Sequence, residues 1–384
     1  MKLYLHIGTE KTGTTSVQKF FRVNRDLLAE NAILYPVTPG DQKHQGLAVA
    51  ALRLSKLGEM RKTFGIRTPD EARKFRDDLV SGLTKEFSSK PYKTVVISSE
   101  HLSSRVLDDE EVQWLKDFLS PFFEEITIIV YIRRQDDYLL STYSTSVKSG
   151  VTYLLDMPTE QIVENRYNHW AMLSRWAGVF GRERIVCRKF ERSGMVSGDI
   201  VDDFLAIAGI DKSGYERPED VNESLDAESL EFLRLFNKHV SQFSQSGANP
   251  MRDNLVPLLS KISRGPLLTL PDEDLARFVA RFKETNRMVA MEYFGEVRSD
   301  SDDPLFEPRS DKRERIQKAT LTPERAIEIS AWLWQEKQVQ LNRIRERIKK
   351  RKEGAGPHGR RGPMAGEGGP KAKASRLGRK RGLD

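Results

Sequence analysis

Three short stretches of the sequence bring together residue types that handle anions and protons. The first is Gly8–Thr15, GTEKTGTT, directly after the apolar run LYLHI (3–7). Gly8 and Gly13 lie five residues apart, the frame of a nucleotide phosphate loop, GxxxxGK[ST]. Thr14 stands where that loop requires lysine, and a lysine occurs three residues earlier, at Lys11. A strand, a glycine-containing turn and a helix present successive backbone N–H groups at a helix N-terminus, where an anion binds. The hydroxyls of Thr12, Thr14, Thr15 and Ser16 add donors.

The second stretch is YIRRQDDYLLSTYSTSVKSG (131–150). Arg133 and Arg134 leave an apolar run, and Ser141 comes eight residues after Arg133. Along one continuous helix these two would stand about 12 Å apart, at 1.5 Å per residue. A turn near Gln135 instead lets both reach one anion, the arginine with its fork and the serine with a further donor. Asp136 and Asp137 read as first-turn acids favoured by the helix dipole, not as metal ligands. The third stretch, VVISSEHLSSR (95–105), sets Glu100 and His101 after a strand; either side chain can act as a general base.

In this order, KTGTTS (11–16), SSEHLS (98–103) and RRQDDYLLS (133–141) resemble the sulfotransferases that use 3′-phosphoadenosine 5′-phosphosulfate (PAPS). The likeness covers roughly residues 1–295, and NESLDAESLEFLRLFN and ETNRMVAMEYFG look most like the bacterial branch. It implies that Lys11 contacts the oxygen bridging sulfate and 5′-phosphate. Thr12, Gly13, Thr14 and Thr15, with Ser16, would cradle the 5′-phosphate; Arg133 and Ser141 would hold the 3′-phosphate. His101 would deprotonate an acceptor hydroxyl, with Glu100 as the rival base. The cytosolic branch has a basic residue where this chain has Ser99. Sulfuryl transfer needs alignment and stabilisation of charge on a departing oxygen, so no metal is expected. A carbohydrate, glycolipid or small molecule is the implied acceptor, and His44 and Lys148 are candidates to contact it. The alternative is a P-loop kinase or NTPase with a degenerate Walker A loop. That chemistry requires Lys at position 14 and an acid for Mg²⁺, and the sequence has neither in place.

The elements that must position these residues can be read from hydropathy. LYLHI (3–7), TVVISS (94–99), ITIIVYI (126–132) and RIVCRKF (184–190) are apolar, β-rich runs, and AILYP (32–36) is a short extended piece. ITIIVYI is continuous rather than alternating, as in a strand buried on both faces. Helical spacing covers 14–31, 69–88, 108–120, a segment from about Asp136, and 323–350. The stretch 41–56 and the helical region after about 150 are candidates to line the acceptor site. Strands alternating with helices predict an α/β fold: a P-loop-like, mostly parallel sheet flanked by helices, with a largely helical C-terminal part. The expected organisation is a sulfotransferase α/β domain at 1–295 (PAPS-binding core about 1–190, helical part about 191–295). A helical extension at 296–348 and a disordered basic tail at 349–384 follow.

The tail governs the charge of the chain. Of a formal net charge of +7 over 384 residues, residues 349–384 hold twelve Lys or Arg against three Asp or Glu, leaving the body slightly acidic. Such a Gly-rich, charged segment buries too little to offset its ordering entropy. It suits weak contact with polyanions or an anionic membrane surface; without interleaved aromatics it offers no base stacking, so no specific nucleic acid is expected. The single cysteine, Cys187, excludes an intramolecular disulfide. No run has the length of a membrane span, and the chain starts in a strand rather than a signal peptide, so a cytoplasmic location is expected.

Overall fold

A computed structural model describes residues 1–354 apart from 219–223, 245–246, 253, 299–302 and 308–312. The chain divides into two compact units, Met1–Ile329 and Ser330–Asp384. Five strands form the central sheet of the first: β1 (Lys2–Gly8), β2 (Ile33–Leu34), β3 (Thr94–Ser98), β4 (Glu125–Ile132) and β5 (Ile185–Lys189). Their order is β2-β3-β1-β4-β5, and every pairing is parallel. Along and between them run α1 (Thr14–Val23), α2 (Arg25–Glu30), α3 (Gln45–Ala51), α4 (Glu59–Thr63), α5 (Pro69–Ser88) and α6 (His101–Arg105). Then come α7 (Asp109–Leu119), α8 (Gln135–Lys148), α9 (Glu160–Ile162), α10 (His169–Phe180) and α11 (Ile200–Ala208). This is the expected α/β architecture, a parallel sheet flanked by helices.

The continuous apolar strands are explained by burial on both faces. Leu3, Leu5 and Ile7 alternate with Tyr4 and His6, and the neighbouring strands follow the same parity because Leu5 is in register with both Ile97 and Ile128. One face packs Leu5, Ile97, Ile128 and Val130 against Leu83 of α5, Leu115 of α7 and Trp176 of α10. The other packs Val96, Ile129 and Tyr131 against Val17, Phe20 and Phe21 of α1 and Phe204 of α11. Each fully buried side chain of this size contributes roughly 1.5–3 kcal/mol over exposure. The three anchors of α1 therefore clamp that helix to the sheet and fix where its N-terminus lies.

The chain fills one side of β1 with β3 and β2, then crosses to the other side for β4 and β5. The order reverses at β1, so the crevice opens at the carboxyl end of that strand. Starts and stops follow local chemistry. α5 begins at Pro69 because Thr68 and Glu71 close a capping box around it.

Two segments differ from the sequence expectation. The single helix expected over 14–31 is broken at Asn24, which accepts from Glu216 N at 2.7 Å and donates to Glu216 O and Phe20 O at 2.9 Å. That side chain competes with the helix for backbone groups. The stretch 41–56 contains α3, whose residues Gly46–Ala51 are all buried in the core.

The first unit continues beyond 295, to Ile329. Leu305 and Phe306 are buried in its core, and Leu267–Leu268 pairs in parallel with Arg315–Ile316. The last helix, Pro323–Gly354, runs slightly beyond the expected 323–350. The rest of the basic stretch, residues 355–384, lies outside the described residues. Among the described residues no helix is long and apolar enough to cross a membrane.

Candidate functional site

β1 ends at Gly8 with φ 107°, in the left-handed half of the map. A Cβ there would stand 3.0 Å from Glu100 Cα and 3.1 Å from Ser103 Oγ, so only glycine lets β1 end this close to α6. The loop is then tied down by its own hydroxyls. Thr9 donates to Tyr131 O from both its N–H (2.8 Å) and its Oγ1 (3.0 Å), and Thr12 Oγ1 donates to Thr9 O at 2.6 Å. Gly13, at φ 73°, is the N-cap of α1, and no side chain caps that helix. The first-turn N–H groups of α1 are thus presented at the mouth of the crevice, as in an anion cradle.

A cavity of about 570 Å³ opens there. Its lining includes Lys11, then Gly13, Thr14, Thr15 and Ser16 at the start of α1, and Arg133, Ser141, Thr145 and Lys148 before and along α8. The convergence of Arg133 with Ser141 depends on a turn at the expected place. Arg134, the N-cap residue of α8, still has an extended ψ of 134°, and the chain enters the helix only at Gln135. Arg133 Nη1 donates to Lys11 O at 3.1 Å, and its guanidinium lies 5.8 Å from the centre of the Phe190 ring. Arg134 turns away instead, with Nε 3.2 Å from Asp136 Oδ1.

Positive charge dominates the cavity. Lys11, Arg133, Lys148, Arg192 and Arg315 line it, against Asp137 and Asp199. Asp137 offsets one of these cations, its Oδ1 3.4 Å from Arg315 Nη2, and Asp199 caps α11 by accepting from Val201 N and Asp202 N. Lys11 Nζ donates to Thr145 Oγ1 at 2.7 Å. Burial, with Lys148 and Arg133 close by, pushes its ammonium down to about 8. Burial also holds Lys148 below the ordinary lysine range. Crowding cations into a partly desolvated space is unfavourable, and a multivalent anion reverses that cost. Among the described residues no group of three or more His, Cys, Asp or Glu is placed to hold a metal ion.

Glu10, Glu100 and His101, three groups able to carry a proton, lie in or beside the same loop. Glu100 and Glu10 both act on the charge of Lys11, which sets them beside the loop. Glu100 Oε2 accepts from Gln18 Nε2 at 2.7 Å. His101 is 20 % exposed, and its Nδ1 is 3.9 Å from Glu10 Oε1. Burial holds the imidazole below its ordinary value, with Arg105 and Lys43 adding and Glu100 and Glu10 opposing. The ring is therefore neutral at pH 7, the form a base requires.

The structure thus brings Lys11, Gly13–Ser16, Arg133, Ser141 and Lys148 to one cavity and sets Glu100 and His101 beside its loop. Thr12 is fully buried, its hydroxyl spent on Thr9. His44 is not brought to the site: it is fully buried, 4.2 Å from the Tyr35 ring, with Nδ1 accepting from Ser98 N at 3.1 Å. Burial pushes that imidazole down to about 3, so it secures the end of β3 as a neutral core residue. Glu10 and Arg166 were not singled out by sequence. Glu10 sits inside the loop itself, whereas nothing in the sequence ties Arg166 to a carboxylate 156 residues earlier.

No protein-family model matches the chain. An uncharacterized protein of Archaeoglobus fulgidus is 29% identical over 208 residues, which is 52% of this chain and 54% of the relative. The chain therefore spans about half the length of that curated relative. Among solved structures, a sulfotransferase from Alicyclobacillus acidocaldarius aligns over 56% of this chain and 85% of its own, with 16% sequence identity and a TM-score of 0.35.

Proposed function

We propose that this protein transfers a sulfuryl group from PAPS to a hydroxyl of an acceptor, a carbohydrate or a small molecule. The observation that carries the reading is the convergence of two separate anion-holding pieces on one cationic cavity: the N-terminus of α1, and Arg133 with Ser141. A nucleoside bisphosphate has two phosphate groups to match two such pieces. Lys11 lines this cavity and is near enough to Glu100 for that carboxylate to act on its charge. In the proposed step the acceptor oxygen attacks sulfur in line as the bond to the bridging phosphate oxygen breaks. Lys11 neutralises the charge arriving on that oxygen, and His101 Nε2 takes the acceptor proton. Binding and alignment supply most of the rate. Lys148 is placed to meet either the bisphosphate or an acceptor, and the basic C-terminal stretch is assigned an accessory contact with polyanions or an anionic surface.

Titration calorimetry tests the donor class. Adenosine 3′,5′-bisphosphate is expected to bind more tightly than ATP–Mg²⁺; the opposite preference would favour the kinase or NTPase reading and end this one. Within the same assay, Arg133→Ala removes a charge-assisted contact of about 1.5–3 kcal/mol. Bisphosphate binding should therefore weaken about tenfold to a hundredfold. An affinity equal to wild type would place the 3′-phosphate elsewhere.

A further inference from the structure

Adjacent residues of the loop send their side chains apart. Lys11 reaches Thr145 of α8, while Glu10 reaches the helix that carries His101. Glu10 Oε1 accepts from Ser104 Oγ at 2.8 Å and lies 3.5 Å from Arg105 Nη2, and Oε2 lies 3.5 Å from Arg166 Nη2. Burial pushes the Glu10 carboxyl up, but Arg166, Arg105, Ser104 and His101 together hold it below its usual range. A carboxylate stabilised that firmly as an anion is a poor base. It is well suited to hold a neighbour in place.

That neighbour has an open valence. His101 Nδ1 is buried without a hydrogen-bond partner, and the Glu10 carboxylate is 3.9 Å away. A buried polar atom left unmatched is rare and calls for a reason. Catalytic hydrogen bonds are often long before substrate binds and tighten in the complex.

We propose that Glu10 is the positioning residue for His101: its carboxylate accepts the Nδ1–H and leaves Nε2 as the basic nitrogen facing the acceptor hydroxyl. The role rests on the sulfuryl-transfer reading of this site. In the step, the acceptor O–S bond forms and the S–O bond to the bisphosphate breaks. The acceptor proton moves to Nε2, and the resulting imidazolium keeps its Nδ1–H on Glu10 until Nε2 releases its proton to solvent. The logic is that of a base oriented by a buried carboxylate.

The charged groups facing His101 are Glu10 from the loop, Glu100 and Arg105 from its own turn and helix, and Lys43. Both carboxylates favour the imidazolium. Removing the charge of Glu10 therefore lowers the His101 pKa and moves the acid limb of the kcat profile to lower pH.

The test is Glu10→Gln in the full chain, with turnover of PAPS and calorimetry of adenosine 3′,5′-bisphosphate side by side. A loosened base is expected to lower kcat about 10²-fold. Bisphosphate affinity should be unchanged, and the acid limb should move down in pH. A second readout uses the wild-type chain alone: ¹⁵N spectra of His101 in the bisphosphate complex, assigned against His101→Asn, should show the Nδ1–H tautomer. An Nε2–H tautomer, an unmoved acid limb or an undiminished kcat in Glu10→Gln overturns the role of Glu10 alone. Absence of PAPS turnover by the wild-type chain overturns the transfer reading and this role with it.

Discussion

Replacing Lys11 by alanine is expected to lower kcat about 10³-fold, the upper end for removing one preorganised charge-stabilising donor, while adenosine 3′,5′-bisphosphate affinity falls far less. The asymmetry follows from where charge appears. On the proposed reading the phosphates are held in the ground state by the first turn of α1 and by Arg133 and Ser141, cavity-lining groups that the variant retains. Deleting Lys11 even relieves its repulsion of Arg133 and Lys148, two of the groups that depress its own ammonium. Only as the S–O bond breaks does the bridging oxygen gain charge, and an interaction that strengthens there appears in kcat. The same residue sets an alkaline limit. Lys11 must be charged to act, and its value is pushed down to about 8, so the charge is complete below that pH and is lost as pH rises through it. The kcat/KM for donor reports the free enzyme and should fall on the alkaline side of about 8. Steady-state kinetics beside calorimetry decide the matter. Loss of bisphosphate binding with transfer persisting at raised donor concentration would refute this role for Lys11.

The features legible in sequence are those whose residue types are unusual for their place. Four apolar runs read as strands because a parallel sheet buries both faces, and burial leaves no polar alternation to mistake. The loop and the Arg133–Ser141 pair stood out because they gather glycine, hydroxyls and cations where a plain strand-to-helix turn needs few of them, and the structure brings them to one cavity. What sequence could not show depends on distant partners. His44 ends a polar stretch, DQKH, that looks like surface, yet its ring is fully buried against Ser98 and Tyr35. Thr12 looks equivalent to Thr14 and Thr15, yet its hydroxyl is consumed inside the loop. Asn24 breaks an otherwise periodic helix because Glu216, far along the chain, offers it two hydrogen bonds. Glu10 acquires a chemical identity only when Ser104, Arg105 and Arg166 surround it. Thr12 apart, whose partner lies within its own loop, local pattern specified a residue type and a contact across many tens of residues set its surroundings.

Replacing His101 by alanine should lower kcat by about 10²–10⁴-fold, the ordinary worth of a positioned general base, and should abolish the acid limb of the pH profile. Glu100→Gln should cost much less. The two candidates are neighbours in sequence, so their surroundings must separate them. Glu100 has one oxygen committed to Gln18 and sits at the N-cap position of α6. His101 is largely buried beside a carboxylate, with its ring held neutral chiefly by that burial. The sign of the pH effect follows. Desolvation disfavours the imidazolium, so the folded pKa lies below the ordinary value, and the reactive neutral ring persists at pH 7. Activity is lost only as pH falls through that lowered value. The acid limb of wild type should therefore lie below about 6.5, the unperturbed histidine value. Profiles of kcat for wild type, His101→Ala and Glu100→Gln distinguish the assignments. If the acid limb survives in His101→Ala and vanishes in Glu100→Gln, the proton goes to Glu100, and His101 serves instead to fill the space between that carboxylate and Glu10. The retained rate in His101→Ala is itself informative. It measures what alignment on α1, Arg133 and Lys11 achieves without a base, and a large remainder is expected from a site organised mainly around the charge of its donor.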